Sequence, residues 1–359
     1  MSDLGFWQKL KKPILALAPM ADVTDCAFRQ IIAKYSNHGK FTRNGESRGG
    51  PDVFFTEFVS VDGLCHKEAR EKLLIDLKYG NNEHPIVAQI FGSRPENFEK
   101  VARMLVKMGF DGIDINMGCP VKKVINQCSC SALIHTPDLA KEIVLATKRG
   151  AGDIPVSVKT RIGFNKIEID TWIPAILESN PAALTIHLRT VKEMSKVPAH
   201  WDLVKRIVEI RDKMKKETLI IGNGDVLGIN DAKRKCEEYN CDGVMLGRAI
   251  FGNPWLFDST ASNFFSLRTA KPNSSLEKTR GSFVKERLNV MLEHTKLFEK
   301  MLGEHKNFAL MKKHYKAYVN GFPATAGRDG AKELRVKLME AENAKQVEII
   351  VNDFLAKIC

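Results

Sequence analysis

An α/β chain of the (β/α)₈ barrel type, followed by a small all-α domain, is what this sequence predicts, and three observations predict it. Eight short apolar, β-branched runs are spaced through the first 257 residues. Amphipathic patterns with apolar positions three and four apart separate them. Nearly every run ends in a polar or small group, where a strand that only fills a core would end in a turn residue. Eight strands and seven intervening segments in about 250 residues fit a closed TIM barrel better than an open doubly wound sheet.

The first run, ILALAPM (14–20), ends in Pro19 and Met20. VFFTEFVS (53–60) carries Glu57, and PIVAQIFG (85–92) carries Gln89. GIDINMG (112–118) leads into Asn116 to Cys119, and PVSVKTRIG (155–163) presents Lys159 and Arg161. ALTIHLRT (183–190) ends in His187 and Arg189, and TLIIGNGDV (218–226) in Asn223 to Asp225. The eighth, GVMLGRAIF (243–251), carries Gly247 and Arg248. Helices are expected at PENFEKVARMLVKMG, DLAKEIVLATKRG, WDLVKRIVEIRDKMK and INDAKRKCEEYN. A polar, Gly-rich insertion occupies 37–52. The barrel is expected over 1–258 and a Ser-, Thr- and Asn-rich linker over 259–282. From Phe283 the pattern is purely helical, which marks 283–359 as a separate domain.

An apolar fraction of 44% with 27% charged residues is that of a soluble globular protein. No apolar run approaches the roughly 20 residues that span a bilayer, and the N-terminus lacks a secretory h-region, so a cytoplasmic location is expected. Eight scattered cysteines do not read as a disulfide framework. The net charge of +12 favours a polyanionic partner, since phosphates reward surplus Lys and Arg with counterion release. Residues 283–359 hold 14 Lys and Arg against 10 Asp and Glu. There Phe308, Met311, Tyr315 and Tyr318 share one helical face, and Lys312, Lys313 and Lys316 fall largely on the other. That suits RNA docking, and equally an ordinary solvated face.

Chemistry is expected at the strand tips, which converge at one end of a barrel. Gly247 and Arg248 suit a phosphate, and Asn223 and Asp225 beside Gly224 suit ribityl or ribose hydroxyls. Lys159 points into the barrel mouth unless it is a rim lysine reaching solvent. Gln89 suits the polar edge of a ring, or a buried structural role. His187 and Arg189 suit a cofactor phosphate, an RNA phosphate, or an ion-pair network with Glu57 or Asp225. Cys119, in NMGCP, is held at the mouth by Gly118 and Pro120. An ordinary thiol, with a pKa of about 8.5, serves as general acid or nucleophile; a buried packing cysteine is the plain alternative. Cys119, Cys128 and Cys130 lie within twelve residues. They lack a fourth ligand and a C-x₂-C pair, so packing thiols are expected there and no metal.

In order and spacing, LAPMADVTDCAFR, TEFVS, VAQIFG, GIDINMGCPVKKV, VKTRIG, the H-x-R-T of IHLRT, GNGDV and GVMLGRAIFGNPWLF resemble the tRNA-dihydrouridine synthases. The tail stretch MKKHYKAYVNGFP resembles that family's helical domain, so the resemblance covers nearly the whole chain. It implies an FMN-containing barrel, reduced by NADPH, that reduces the C5–C6 bond of specific uridines in tRNA or another structured RNA. No membrane and no obligate protein partner are implied. By that match Pro19, Met20, Ala21, Gln89, Lys159, His187, Asn223, Gly224, Asp225, Gly247 and Arg248 would contact FMN. Lys159 would stabilise negative charge at N1 of the reduced ring. Hydride would reach C6 of a flipped-out uracil, and Cys119 would protonate C5. Asn116, Arg161, Arg189, Lys312, Lys313 and Lys316 are the candidate substrate contacts.

Three features depart from the family pattern. CSCSALI stands where small Gly and Ala residues are usual, Leu188 sits inside a motif that commonly reads H-G-R-T, and the insertion 37–52 is long. A small-molecule FMN enzyme of the dihydroorotate dehydrogenase-like type is the alternative, although it has no use for a basic helical tail. A catalytically dead RNA-binding module is the other, and the presence of Cys119 with Lys159 argues against it.

Overall fold

The computed structural model describes residues 3–41, 45, 47, 49–258, 274–320, 322 and 328–358. The expected linker falls largely on 259–273, outside the described residues, as does part of the 37–52 insertion. Two compact units are present: Met1–Ala21 with Pro51–Ala249, and Asp22–Gly50 with Ile250–Cys359.

The first unit is the barrel. Its strands are β1 (Ile14–Leu17), β2 (Phe54–Phe55), β3 (Val59–Ser60), β4 (Ile86–Phe91), β5 (Gly112–Met117), β6 (Val156–Arg161), β7 (Ala183–His187), β8 (Leu219–Asn223) and β9 (Gly243–Leu246). All pair in parallel in the order β1-β9-β8-β7-β6-β5-β4-β2, and the parallel bridge Ala16 to Val53 closes the ring. The eight expected runs are the eight staves of this barrel. One of them is broken: 53–60 forms β2 and β3 rather than one strand. The cause is Thr56, whose hydroxyl accepts the Gln89 amide proton at 3.0 Å and donates to the Glu57 carbonyl, interrupting the ladder.

Helices between the strands form where the pattern places them. Pro95–Lys107 starts with proline at its first turn and buries Phe98, Val101, Ala102 and Leu105, one stripe of a 3.6-residue repeat. Ile229–Tyr239 ends at Asn240 in the left-handed conformation, where asparagine is tolerated. Pro137–Ala151, Ile169–Glu178 and Leu203–Lys213 complete the main set. Among the described residues no helix is long and apolar enough to cross a membrane.

The second unit is helical. Cys26–Tyr35 starts on Asp25, whose carboxylate accepts the Phe28 amide proton at 2.9 Å. The others are Ser274–Leu302, Met311–Val319, Arg328–Glu340 and Ala344–Ile358. Phe28 stacks on His294 and meets His314 edge-on, all buried. Arg287 donates to the carbonyls of Gly252, Ala317 and Asn320, joining three segments of the unit.

Candidate active site

Alternation along each strand puts every second side chain inside the ring. The floor is apolar, built from Ile14, Ala16, Val53, Phe55, Val87, Ala183, Leu219, Ile221 and Met245. Above it the inward positions turn polar in register. Gln89 lies beside Asp114, and Asp114 beside Ser157. One step higher Asn116 neighbours Lys159, which neighbours Thr185. At the C-terminal ends Arg161 neighbours His187, His187 neighbours Asn223, and Asn223 neighbours Met245.

A cavity of 610 Å³ opens at this end, a volume typical of small-molecule sites. Nine of the eleven expected cofactor contacts line it: Pro19, Met20, Lys159, His187, Asn223, Gly224, Asp225, Gly247 and Arg248. Val226, Leu227 and Ala249 share the lining, and their sequence gave no signal for it. Ala21 is exposed and Gln89 fully buried, and neither lines the cavity.

Cations surround this space. Lys159 Nζ donates to Asn223 Oδ1 at 3.2 Å, and Asn223 Nδ2 donates to the Met245 carbonyl. Burial, then the Arg161 charge, lowers the Lys159 pKa to about 8. Burial, followed by Lys159, Arg161, Arg189 and Arg248, drives His187 down to about 2, so its imidazole is neutral. Arg189 is buried, donating to the Val197 carbonyl and pairing with Asp225, whose other oxygen takes Arg248 at 2.7 Å. Burial alone would raise the Asp225 pKa, but the Ala199 amide, Arg189 and Arg248 hold it below the usual range. The ion-pair alternative for Arg189 is thus realised with Asp225. Gly224 has φ +125, and a Cβ there would stand 2.9 Å from Ala199 Cβ, so only glycine sits without strain. That same point lies 3.7 Å from both Arg189 Nη1 and His187 Nε2. Buried Nη1 of Arg189 and Nδ1 of His187 have no hydrogen-bond partner among the described residues. A buried cationic donor left unpaired is costly, so the Arg189 Nη1 side of this corner suits a ligand carrying an anion.

Cys119 does not line the cavity; it lies in the turn after β5, acted on electrostatically by Arg161 and Lys159. A chain of side chains fixes that turn. Ser157 and Gln89 donate to the buried Asp114 carboxylate at 2.6 and 2.7 Å. The Gln89 carbonyl oxygen accepts from Asn116 Nδ2, and Asn116 Oδ1 accepts the amide protons of Gly118 and Cys119, both at 3.1 Å. Burial pushes Asp114 up to about 6 against the pull of Ser157 and Gln89. Arg161 is spent on backbone: it donates to the carbonyls of Gly118, Thr190 and Met194, tying the cysteine turn to the loop after β7. A hydrogen bond from the Cys130 thiol lowers the Cys119 pKa to about 7 against burial, helped by the Val121 amide and by Arg161 and Lys159. Asp114 and Cys130 were not expected at the site. Asp114 reads as one more residue of an apolar strand, and nothing in the spacing of Cys130 announces an influence on the Cys119 pKa. Leu188 is fully buried. Lys312, Lys313 and Lys316 belong to the helical unit, where Lys313 pairs with Asp22 at 3.5 Å.

A family model described as dihydrouridine synthase matches residues 16–358. A probable tRNA-dihydrouridine synthase of Staphylococcus aureus (strain Mu50 / ATCC 700699) is 39% identical over 356 residues, 99% of this chain and 97% of that protein. The probable tRNA-dihydrouridine synthase 2 of Bacillus subtilis (strain 168) is 37% identical over 355 residues, 98% and 97% of the two chains. Among solved structures, histamine dehydrogenase from Rhizobium sp. 4-9 is similar at TM-score 0.47 and 12% identity, covering 77% of this chain and 48% of that one. So loose a likeness says nothing about chemistry.

Proposed function

The chain belongs to the dihydrouridine synthase family, and on that premise we propose that it reduces the C5–C6 bond of uridines in tRNA, with FMN as cofactor and NADPH as reductant. The observation that carries the reading is a cation-rimmed cavity at the barrel mouth with a thiol beside Lys159 and Arg161. FMN fits the groups present: the unpaired Arg189 Nη1 near Gly224, with His187 Nε2 beside it, suits its phosphate end. Arg248 and Gly247 would join them, and Lys159, Asn223, Pro19 and Met20 would face the ring system.

When bound, FMN supplies the hydride for C6 of the uracil. Lys159, a half-buried amine lining the cavity, would favour negative charge next to it. Cys119 carries the proton destined for C5, and its pKa near 7 is that of an acid able to release it at neutral pH. Asp114, Gln89 and Asn116 keep the Cys119 turn fixed, so the thiol meets the base in one orientation. The base must leave its stack to present C5 and C6. The stretch 1–258, which contains the barrel, is proposed as catalytic and 283–359 as RNA-binding, with Lys312, Lys313 and Lys316 meeting backbone phosphates.

Visible absorbance tests the flavin. Protein purified or reconstituted with FMN is expected to be yellow and to bleach on addition of NADPH. Protein that takes up no FMN would remove the reading.

A further inference from the structure

Asp114 is 1% exposed on β5, and among the described residues no cation forms an ion pair with it. A buried carboxylate without a counter-charge is costly, and an apolar side chain would fill the same strand position. What surrounds it instead is donors: Ser157 Oγ on one oxygen at 2.6 Å and Gln89 Nε2 on the other at 2.7 Å. A side-chain amide has a donor end and an acceptor end of nearly the same shape, so packing does not choose between them. A carboxylate only accepts, which turns the Gln89 NH₂ toward Asp114 and its oxygen away. That oxygen accepts from Asn116 Nδ2 at 3.0 Å, which leaves Asn116 Oδ1 facing the amide protons of Gly118 and Cys119. Backbone amides only donate. The chain thus begins on an acceptor and ends on donors, and one orientation of the two side-chain amides satisfies every joint. Reversing either sets donor against donor among buried groups. The carbonyls of the same turn are held separately, Gly118 by Arg161 at 2.8 Å and Cys119 by Ser131 at 2.7 Å.

We propose that Asp114 is a positioning residue for Cys119: its carboxylate sets the direction of the Gln89–Asn116 amide pair, and that direction holds the turn that carries the thiol. Asp114 acts through two side chains and not on the sulfur itself. Its place in the barrel core, where an apolar residue would pack as well, is explained by what it orients one strand step higher. The inference rests on the proposed proton-donor role of Cys119 only for its consequence in turnover; the orientation of the turn stands on the hydrogen bonds alone.

The test is hydrogen exchange at the Gly118 and Cys119 amides, followed by NMR in the full-length protein as purified, with glycine and cysteine labelled and no RNA present. Wild type is expected to protect both. In Asp114→Leu their exchange should rise roughly tenfold or more, while Gly222 and Gly243, inside β8 and β9, keep their protection. Asp114→Asn keeps an oxygen for Gln89 and can give its NH₂ to Ser157 Oγ, so it should restore what leucine removes. With RNA added, Asp114→Leu should lower kcat by about tenfold at unchanged KM and flavin affinity. Two results would overturn the proposal: amides that exchange in the wild type as fast as in an open turn, or equal protection in wild type and Asp114→Leu. Asp114→Ser, whose hydroxyl falls short of Gln89, replaces the leucine variant if that one does not fold. Exchange needs no RNA, so it decides the proposal even if uridine is not the substrate.

Discussion

Cys119 offers its proton only as a thiol, so its pKa near 7 sets the sign of the pH dependence. Turnover is expected to hold below about pH 7 and to fall roughly tenfold per unit above it, as the thiolate takes over. Because the Cys130 hydrogen bond is the largest cause of the low value, Cys130→Gly should move that limb upward. A pH–rate profile checks both, and a limb unmoved by the variant would contradict the assignment. Charge burial ranks the arginines. Arg189 is buried, whereas the Arg248 side chain is 66% exposed. Arg189→Ala is therefore expected to weaken FMN binding by about 10–100-fold, the worth of a charge-assisted hydrogen bond, and Arg248→Ala by only a few-fold. Flavin titration followed by fluorescence reads the two. These groups were legible in the sequence because a polar residue at an apolar strand's tip is anomalous. Asp114 and Cys130 were not, since their meaning comes from partners on other strands or turns that only the closed ring supplies.

Helices of the second unit enclose His294 and His314, both fully buried. Burial pushes His314 down to about 3, and burial with the His314 charge pushes His294 well below its usual value. Folded values below unfolded ones mean stability present above about pH 6.5 and lost as pH falls, by about 1.4 kcal/mol per unit for each imidazole. Both His314 nitrogens lack partners among the described residues. His314→Phe should therefore stabilise the protein at pH 7.5 by about 1–3 kcal/mol and flatten its melting temperature between pH 7.5 and 5. A variant whose acid sensitivity matched the wild type would count against this. On Met311–Val319, replacing Lys312, Lys313 and Lys316 by Ala should reduce the salt slope of RNA binding by about three without loss of flavin. An unchanged slope would mean that this face does not meet phosphate. Helical periodicity made these elements legible, and 3.6-residue spacing separates their lysine and aromatic faces. Nothing local marked Cys26–Tyr35 as part of the same unit as the C-terminal helices. That grouping is set by packing partners such as His294 and Glu293, more than 250 residues away.

For the whole molecule, eight apolar runs and their polar tips were enough to read the ring, because parallel strands with covered faces need continuous apolar sequence. The break between β2 and β3 was hidden, since it depends on a hydroxyl taking a ladder position from another strand. What the architecture is proposed to accomplish is joint presentation, in one barrel mouth, of a flavin held by cations and a thiol held by Asn116. The most direct measurement is mass spectrometry of an unmodified tRNA transcript incubated with the FMN-loaded protein and NADPH. The account predicts uridine gaining two hydrogens at C5 and C6, with Cys119→Ala keeping its flavin but losing most of that product. A transcript of unchanged mass, from protein whose flavin NADPH does reduce, would contradict it.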